Sequence, residues 1–219
     1  MKDGAASVKL EVPLIAENGA VVPVSVSVDS PMTPTNYVKH IYVVADKNRI
    51  PVVTRVTLAP EAGRAFMGAN IRLGESGDVR AIVEQSDGTS AASSSARSKS
   101  PSAAAEAESM SDIGKVRLRI PSPIKPGDVV QVRSLVIHPM ERIERDAQGK
   151  IIQKNYNYIN KVTVTYLGKT VAVFDTTQSV AENPFFSFTF KATDPGQLKV
   201  EFLDTTGGRY EGTADIKFS

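Results

Sequence analysis

From Val22 to Val28 every even position is valine, while the odd positions hold Pro23, Ser25 and Ser27. A repeat of two places successive side chains on opposite faces of an extended chain, so this segment is a strand with one face buried and one wet. The same alternation returns where threonines separate Val162, Val164 and Tyr166, and where Ser187 and Thr189 separate Phe186, Phe188 and Phe190. Turn dipeptides such as Asn18-Gly19, Asp87-Gly88, Leu167-Gly168 and Gly207-Gly208 punctuate these runs, and no long helical period competes with them. The pattern predicts an all-β chain built as a sandwich or barrel. Pro23 cannot donate to a ladder, which predicts an edge strand or a bulge at that point.

The pattern also repeats. Val8-Lys9-Leu10-Glu11-Val12-Pro13 returns as Val116-Arg117-Leu118-Arg119-Ile120-Pro121, and the offset of 108 holds without a gap through Pro31-Met32 and Pro139-Met140. A later pair at a slightly larger offset aligns Gly77 to Val83 with Gly196 to Phe202. Duplication of one domain explains this, and predicts two separate β-sandwich domains in tandem, residues 1–89 and 112–219. Between them, residues 90–111 are dominated by serine and alanine, too poor in apolar groups to offset their ordering entropy, and read as a low-complexity linker. Within it, Ala92 to Lys99 is open to two readings, a weak last strand for the first domain or disorder.

Composition narrows the function classes. The chain has 219 residues, with 41% hydrophobic and 23% charged, as in a globular protein. Lys and Arg number 26 against 24 Asp and Glu, with 11 basic and 12 acidic residues before Ser111, so neither half is a polycation and nucleic acid is not implied as a partner. No apolar run is long enough to cross a bilayer as a helix, and Met1-Lys2-Asp3-Gly4 does not open a signal peptide, so no membrane is expected. Cysteine is absent, which removes disulfides, thiolate metal sites and thiol nucleophiles.

At several points the two halves resemble known families. Ile15-Ala16-Glu17-Asn18-Gly19, Val21-Val22-Pro23-Val24, Ser30-Pro31-Met32 and Asp87-Gly88-Thr89 resemble the sulfur-oxidation protein SoxY. His138-Pro139-Met140, Asp146 with Gly149-Lys150, Asn157 with Asn160, Asn183-Pro184-Phe185 and Tyr210-Glu211-Gly212-Thr213-Ala214 resemble SoxZ. The resemblance implies two immunoglobulin-like units that pair within the chain into a periplasmic, non-enzymatic carrier for thiosulfate oxidation, with periplasmic sulfur-oxidation or redox enzymes as partners. In that family SoxY ends in a mobile Gly-Gly-Cys-Gly-Gly arm whose cysteine carries the sulfur intermediate. This chain has the Ser/Ala segment in that place and no cysteine. Two readings follow: a SoxYZ-like carrier or scaffold whose thiol is missing, or a binding module for a periplasmic redox enzyme, such as a quinoprotein dehydrogenase, without sulfur transfer.

Candidate chemistry is thin. His40 and His138 are the only histidines; His40 reads as a solvent-facing strand residue, and His138 as a turn or partner contact, since sequence spacing offers it neither a nucleophile nor an orienting carboxylate. No catalytic, cofactor-binding or metal-ligating set is expected. Glu141 to Asp146 reads as a solvated hairpin arm turning at Ala147 to Lys150, with electrostatic docking as its functional alternative. Phe186 and Phe188 read as core, and Phe185, on the opposite face, as a possible exposed anchor. Because residues 90–109 lack apolar anchors, limited proteolysis is expected to cut there first. Gel filtration should then show the two halves still associated; fragments that elute apart would remove the paired arrangement.

Overall fold

The computed structural model describes residues 8–91, 95–98, 112–143, 146, 148, 150–152 and 156–219. Apart from a short 3-10 turn at Pro60–Ala62, the regular structure among them is all β. The first half contributes β1 (Val8–Glu11), β2 (Val22–Val28), β3 (Val38–Ala45), β4 (Val52–Leu58), β5 (Ala65–Ile71), β6 (Gly77–Gln85), β7 (Ser90–Ala91) and β8 (Ser95–Ser98). The second contributes β9 (Val116–Arg119), β10 (Val129–Val136), β11 (Ile159–Tyr166), β12 (Lys169–Thr176), β13 (Phe185–Lys191), β14 (Gly196–Asp204) and β15 (Arg209–Ile216). Alternation does its expected work: Val22, Val24, Val26 and Val28 are buried, as are Phe186, Phe188 and Phe190. At the β11–β12 hairpin, Leu167 and Gly168 both take positive φ (52° and 75°), the turn whose twist matches that of its strands.

Each half is a two-sheet sandwich, yet the two are not separate. One sheet runs β1-β2-β5-β13-β10-β9, and the other β15-β14-β11-β12-β4-β3-β6-β7, with β8 also on β6. Both sheets therefore cross from one half to the other, through β5·β13 and β4·β12. The two tandem sandwiches expected from the sequence are present, and they are joined for a physical reason. Taken alone, each half would leave a second open edge on each sheet, at β4 and β5 in the first half and at β12 and β13 in the second, and the unpaired N–H and C=O groups of those inner edges are satisfied by the other half.

The duplication is visible in this seam. In the register that aligns Gly77 with Gly196, Gly68 aligns with Ser187, and these two residues lie opposite each other in the β5·β13 ladder. On the other sheet, Val56 stands opposite Ile41 in one half and Phe174 opposite Val162 in the other, and Val56 and Phe174 face each other across β4·β12. Equivalent residues meet on one pseudo-twofold axis through both sheets, the arrangement of an isologous dimer. A methyl group on Gly68 would sit 3.2 Å from Ser187 Cβ, so glycine there permits the close approach.

Pro23 lies in β2, an interior strand flanked by β1 and β5, not in an edge strand. Its lost donor is tolerated because the β1 ladder stops at Glu11 opposite Ser25, so Pro23 pairs only with Asn70 of β5. Inside the stretch read as linker, β7 and β8 pair with β6, the place β15 holds beside β14. Positions 92–94 and 99–111 lie outside the described residues.

Buried apolar residues of both halves form one continuous cluster. Aromatic rings concentrate in the second half: Phe186 lies 5.0 Å from Phe174 and 6.4 Å from Phe202 between ring centroids, and Phe190 4.5 Å from Tyr166. A shared core and shared sheets should unfold together. Calorimetry is expected to give one transition, and Phe186→Ala should destabilise it as a whole by about 3–5 kcal/mol. Two resolved transitions, with only the second moved by the substitution, would contradict the continuous core.

Candidate functional site

His138 follows β10 and is wholly buried. Its backbone is held by Asn183, whose Oδ1 accepts the His138 N–H at 2.9 Å and whose N–H donates to the His138 carbonyl at 2.9 Å. The ring Nδ1 accepts the Met140 N–H at 3.3 Å, which assigns the imidazole proton to Nε2. That nitrogen stands 3.5 Å from Asp204 Oδ2, too far for a good hydrogen bond. The orienting carboxylate that sequence spacing did not offer is thus supplied by the end of β14.

Asp204 is held in place by its own turn. Its Oδ1 accepts from the Thr206 N–H (2.8 Å), the Thr206 hydroxyl (2.9 Å) and the Gly208 N–H (2.7 Å), and its Oδ2 from the Tyr210 hydroxyl (3.0 Å). Burial pushes this carboxyl's pKa up, but the donors on Gly208, Thr206 and Tyr210 outweigh it and leave the group below its usual range. Burial lowers the His138 pKa, against the opposing pull of Asp204, Asn157 and Glu141, so the ring is neutral. Burial and the neighbouring Asp204 raise the Tyr210 phenol. The Tyr210 ring meets the imidazole edge-on at 5.8 Å.

A histidine beside a carboxylate is the orienting half of an acid–base unit, but such a unit also needs a reacting group and a way in. Here the imidazole has no exposed surface, and its partners are a main-chain N–H and a carboxylate. What the cluster does is join β10, the turn after β14, and β15. The first half does not repeat it: Ser30 takes the place of His138, accepting the Met32 N–H at 3.5 Å, and Gln85 takes the place of Asp204. Met32 and Met140, equivalent in the repeat, share a φ of 48°.

The cluster also reaches across the seam. The Met140 carbonyl accepts from Arg72 Nη1 at 2.7 Å, and the Gln178 carbonyl from the same nitrogen at 3.3 Å. Burial, helped by the charge of Arg142 and opposed by Glu182, lowers the Arg72 pKa to about 10. Around Arg72 lies a cleft of about 470 Å3 formed by both halves, with Asn48, Arg49, Arg142 and Gln178 among its walls.

Other residues singled out in the sequence fall as follows. His40 is half-buried on β3, its Nδ1 3.0 Å from the Thr57 hydroxyl, and burial lowers its pKa. In the charged run, Glu141 Oε2 accepts the Asn157 N–H, and Asp146 Oδ1 accepts the N–H groups of Gln148 and Lys150; positions 144, 145, 147 and 149 lie outside the described residues. Phe186 and Phe188 are buried, and Phe185 is half-buried on the outer face of the six-stranded sheet. Asp204 and Arg72 were not singled out, and Tyr210 entered only as part of the motif Tyr210-Glu211-Gly212-Thr213-Ala214. The run Asp204-Thr205-Thr206-Gly207-Gly208 marks a turn in sequence, but which residue it meets is a property of the fold. Among the described residues, no group of three His, Cys, Asp or Glu is placed to hold a metal ion.

Two outcomes follow. Asp204→Ala leaves the Thr206, Gly208 and Tyr210 donors without their acceptor, and should cost about 1–3 kcal/mol by denaturant unfolding. His138 and Asp204 both have lowered pKa values, so the unfolded chain binds more protons and acid destabilises the fold: the His138 share is lost as pH falls below its ordinary 6.5, the Asp204 share below 3.8. Melting temperatures of His138→Gln should therefore fall less between pH 7.5 and 5 than those of the parent, with His40 supplying a residue of the effect. An unchanged pH dependence would mean that His138 is not held neutral.

Two family models match consecutive stretches of the chain, "Sulfur oxidation protein SoxY" over residues 1–96 and "Sulphur oxidation protein SoxZ" over residues 116–215. Among solved structures, the sulfur carrier protein SoxY from Chlorobium limicola f thiosulfatophilum is 22% identical, covering 42% of this chain and 74% of its own, with a TM-score of 0.36. The fibronectin(III)-like modules of Clostridium thermocellum CbhA are 14% identical over 97% of this chain and 94% of theirs, with a TM-score of 0.27. No curated protein matches. With the repeat, the two sandwich halves and two family matches in the same order, the chain belongs to the SoxY and SoxZ sulfur-oxidation proteins, a SoxY region and a SoxZ region fused in one polypeptide.

Proposed function

We propose that this protein is a non-catalytic carrier or scaffold of periplasmic thiosulfate oxidation, whose own chain lacks the carrier thiol. The observation that carries this reading is the seam: the SoxY region and the SoxZ region share both sheets, so the paired frame on which partner enzymes would act is complete within one chain. A sealed imidazole without a reacting group supports a non-enzymatic role. The sequence holds no cysteine. Methionine thioethers such as those of Met32 and Met140 have no ionisable thiol and cannot take its place. Domain limits at 1–89, 90–111 and 112–219 belong to the same proposal, with partners among periplasmic sulfur-oxidation or redox enzymes.

The absent thiol equally favours a second reading, a docking module for a periplasmic redox enzyme such as a quinoprotein dehydrogenase. Chemistry separates the two. Joining a thiol to thiosulfate forms one S–S bond and releases one proton and two electrons, which a haem partner would accept. After incubation with thiosulfate and the family's enzymes, mass spectrometry should find no sulfur adduct on the unmodified chain. With Gly-Gly-Cys-Gly-Gly inserted between residues 99 and 111 the adduct should form, and cutting the chain just after the insert should raise turnover, because an arm free at one end reaches further than one tied at both. An adduct on the unmodified chain would sink the claim of a missing thiol; an inserted cysteine that is never modified, despite correct folding, would favour the docking module.

A further inference from the structure

The cleft at the seam has a feature that the carrier reading does not use. Arg72, just after β5, is half-buried, yet none of the described residues offers it a carboxylate within ion-pair range. Only its Nη1 is engaged, by the carbonyls of Met140 and Gln178; its other guanidinium N–H groups meet no acceptor among the described residues. Taking a cation out of water is costly unless an anion or several acceptors compensate, and two carbonyls compensate in part. Glu182 pulls the Arg72 pKa upward but forms no ion pair with it, and burial and Arg142 outweigh that pull, so the balance still favours a further negative charge. Two further cations, Arg49 and Arg142, line the same cleft and are exposed, and they too have no ion-pair partner among the described residues. Arg142 lowers the pKa of Arg72, a repulsion that a bound anion would relieve.

The walls are fixed. Asn48 Nδ2 donates to the Arg72 carbonyl at 2.7 Å while its Oδ1 accepts the Gly74 N–H at 2.9 Å, so one side chain sets the strand exit that carries Arg72. Opposite, Gln178 Oε1 accepts the Ile143 N–H at 3.1 Å and anchors the segment that carries Arg142. Ser179 closes the floor by donating to the Ile50 carbonyl at 2.9 Å. At about 470 Å3 the space holds a small ligand with its water, and planar guanidinium forks match the paired oxygens of a tetrahedral oxyanion.

We infer that this cleft, assembled from both halves around Arg72, Arg49 and Arg142, binds a small divalent inorganic oxyanion of the sulfate, thiosulfate or phosphate type. The site needs no thiol, so it stands or falls apart from the carrier reading. Calorimetric titration of the full chain with sodium sulfate, thiosulfate and phosphate, against chloride and acetate at matched ionic strength, tests it. At least one divalent oxyanion should bind saturably at one site per chain, and comparison of the three tells sulfur oxyanions from phosphate. The double variant Arg49→Ala/Arg142→Ala alters exposed side chains only, and should weaken that binding by about tenfold or more with an unchanged circular dichroism spectrum. Arg72→Lys, which keeps the charge and loses the fork, should weaken it as well. No saturable binding, equal binding of acetate, or a folded double variant that binds as tightly as the parent would each overturn the assignment.

Discussion

Satisfaction of strand edges at the seam is the constraint on which the rest of this structure depends. A β-sandwich half with three strands in one sheet and four or more in the other cannot close on itself, and an open edge is a template for whatever strand arrives first. Here β4 and β5 are answered by β12 and β13 of the same chain, in antiparallel register, so that both sheets continue without a break. Everything at the centre of the molecule inherits its position from those two ladders. The cluster of Phe174, Phe186 and Phe202 packs beneath them, and the cleft around Arg72 opens where they end.

Against that apolar continuity, the buried polar groups are unevenly distributed. The repeat supplies each half with the same turn after its second strand, with Met32 and Met140 in the same left-handed conformation. Only the second half invests that turn with a histidine and answers it with a carboxylate. The difference has a mechanical meaning: the segment after His138 is the one whose carbonyl, at Met140, holds Arg72 of the first half. That bond ties the segment after His138 to the first half across the joint.

Much of this architecture is legible in the residues themselves. Valines at alternate positions of β2 and phenylalanines at alternate positions of β13 define strands and buried faces, and the offset of 108 residues defines the repeat. Periodicity reports what each strand buries, but it is silent on which strand lies alongside, because edge pairing uses backbone groups that every residue carries alike. That is why the merger of two sandwiches, and the interior position of Pro23, emerge only from the fold. The site follows the same rule. Asp204 announces its turn through the threonines and glycines that follow it, whereas its meeting with His138 depends on two strands separated along the chain, and no local pattern encodes it.

The residues on the pseudo-twofold axis have a consequence for partner choice. On such an axis each residue would meet its own copy if either half paired with a second copy of itself. Glycine facing glycine and valine facing valine would leave the first half's seam underfilled, while serine facing serine and Phe174 facing its copy would crowd the second's. Gly68 against Ser187, and Val56 against Phe174, set small against large in both sheets. The size mismatch between equivalent positions makes the unlike pairing the one that fills space, so the same residues that betray a common ancestor also discourage each half from self-association.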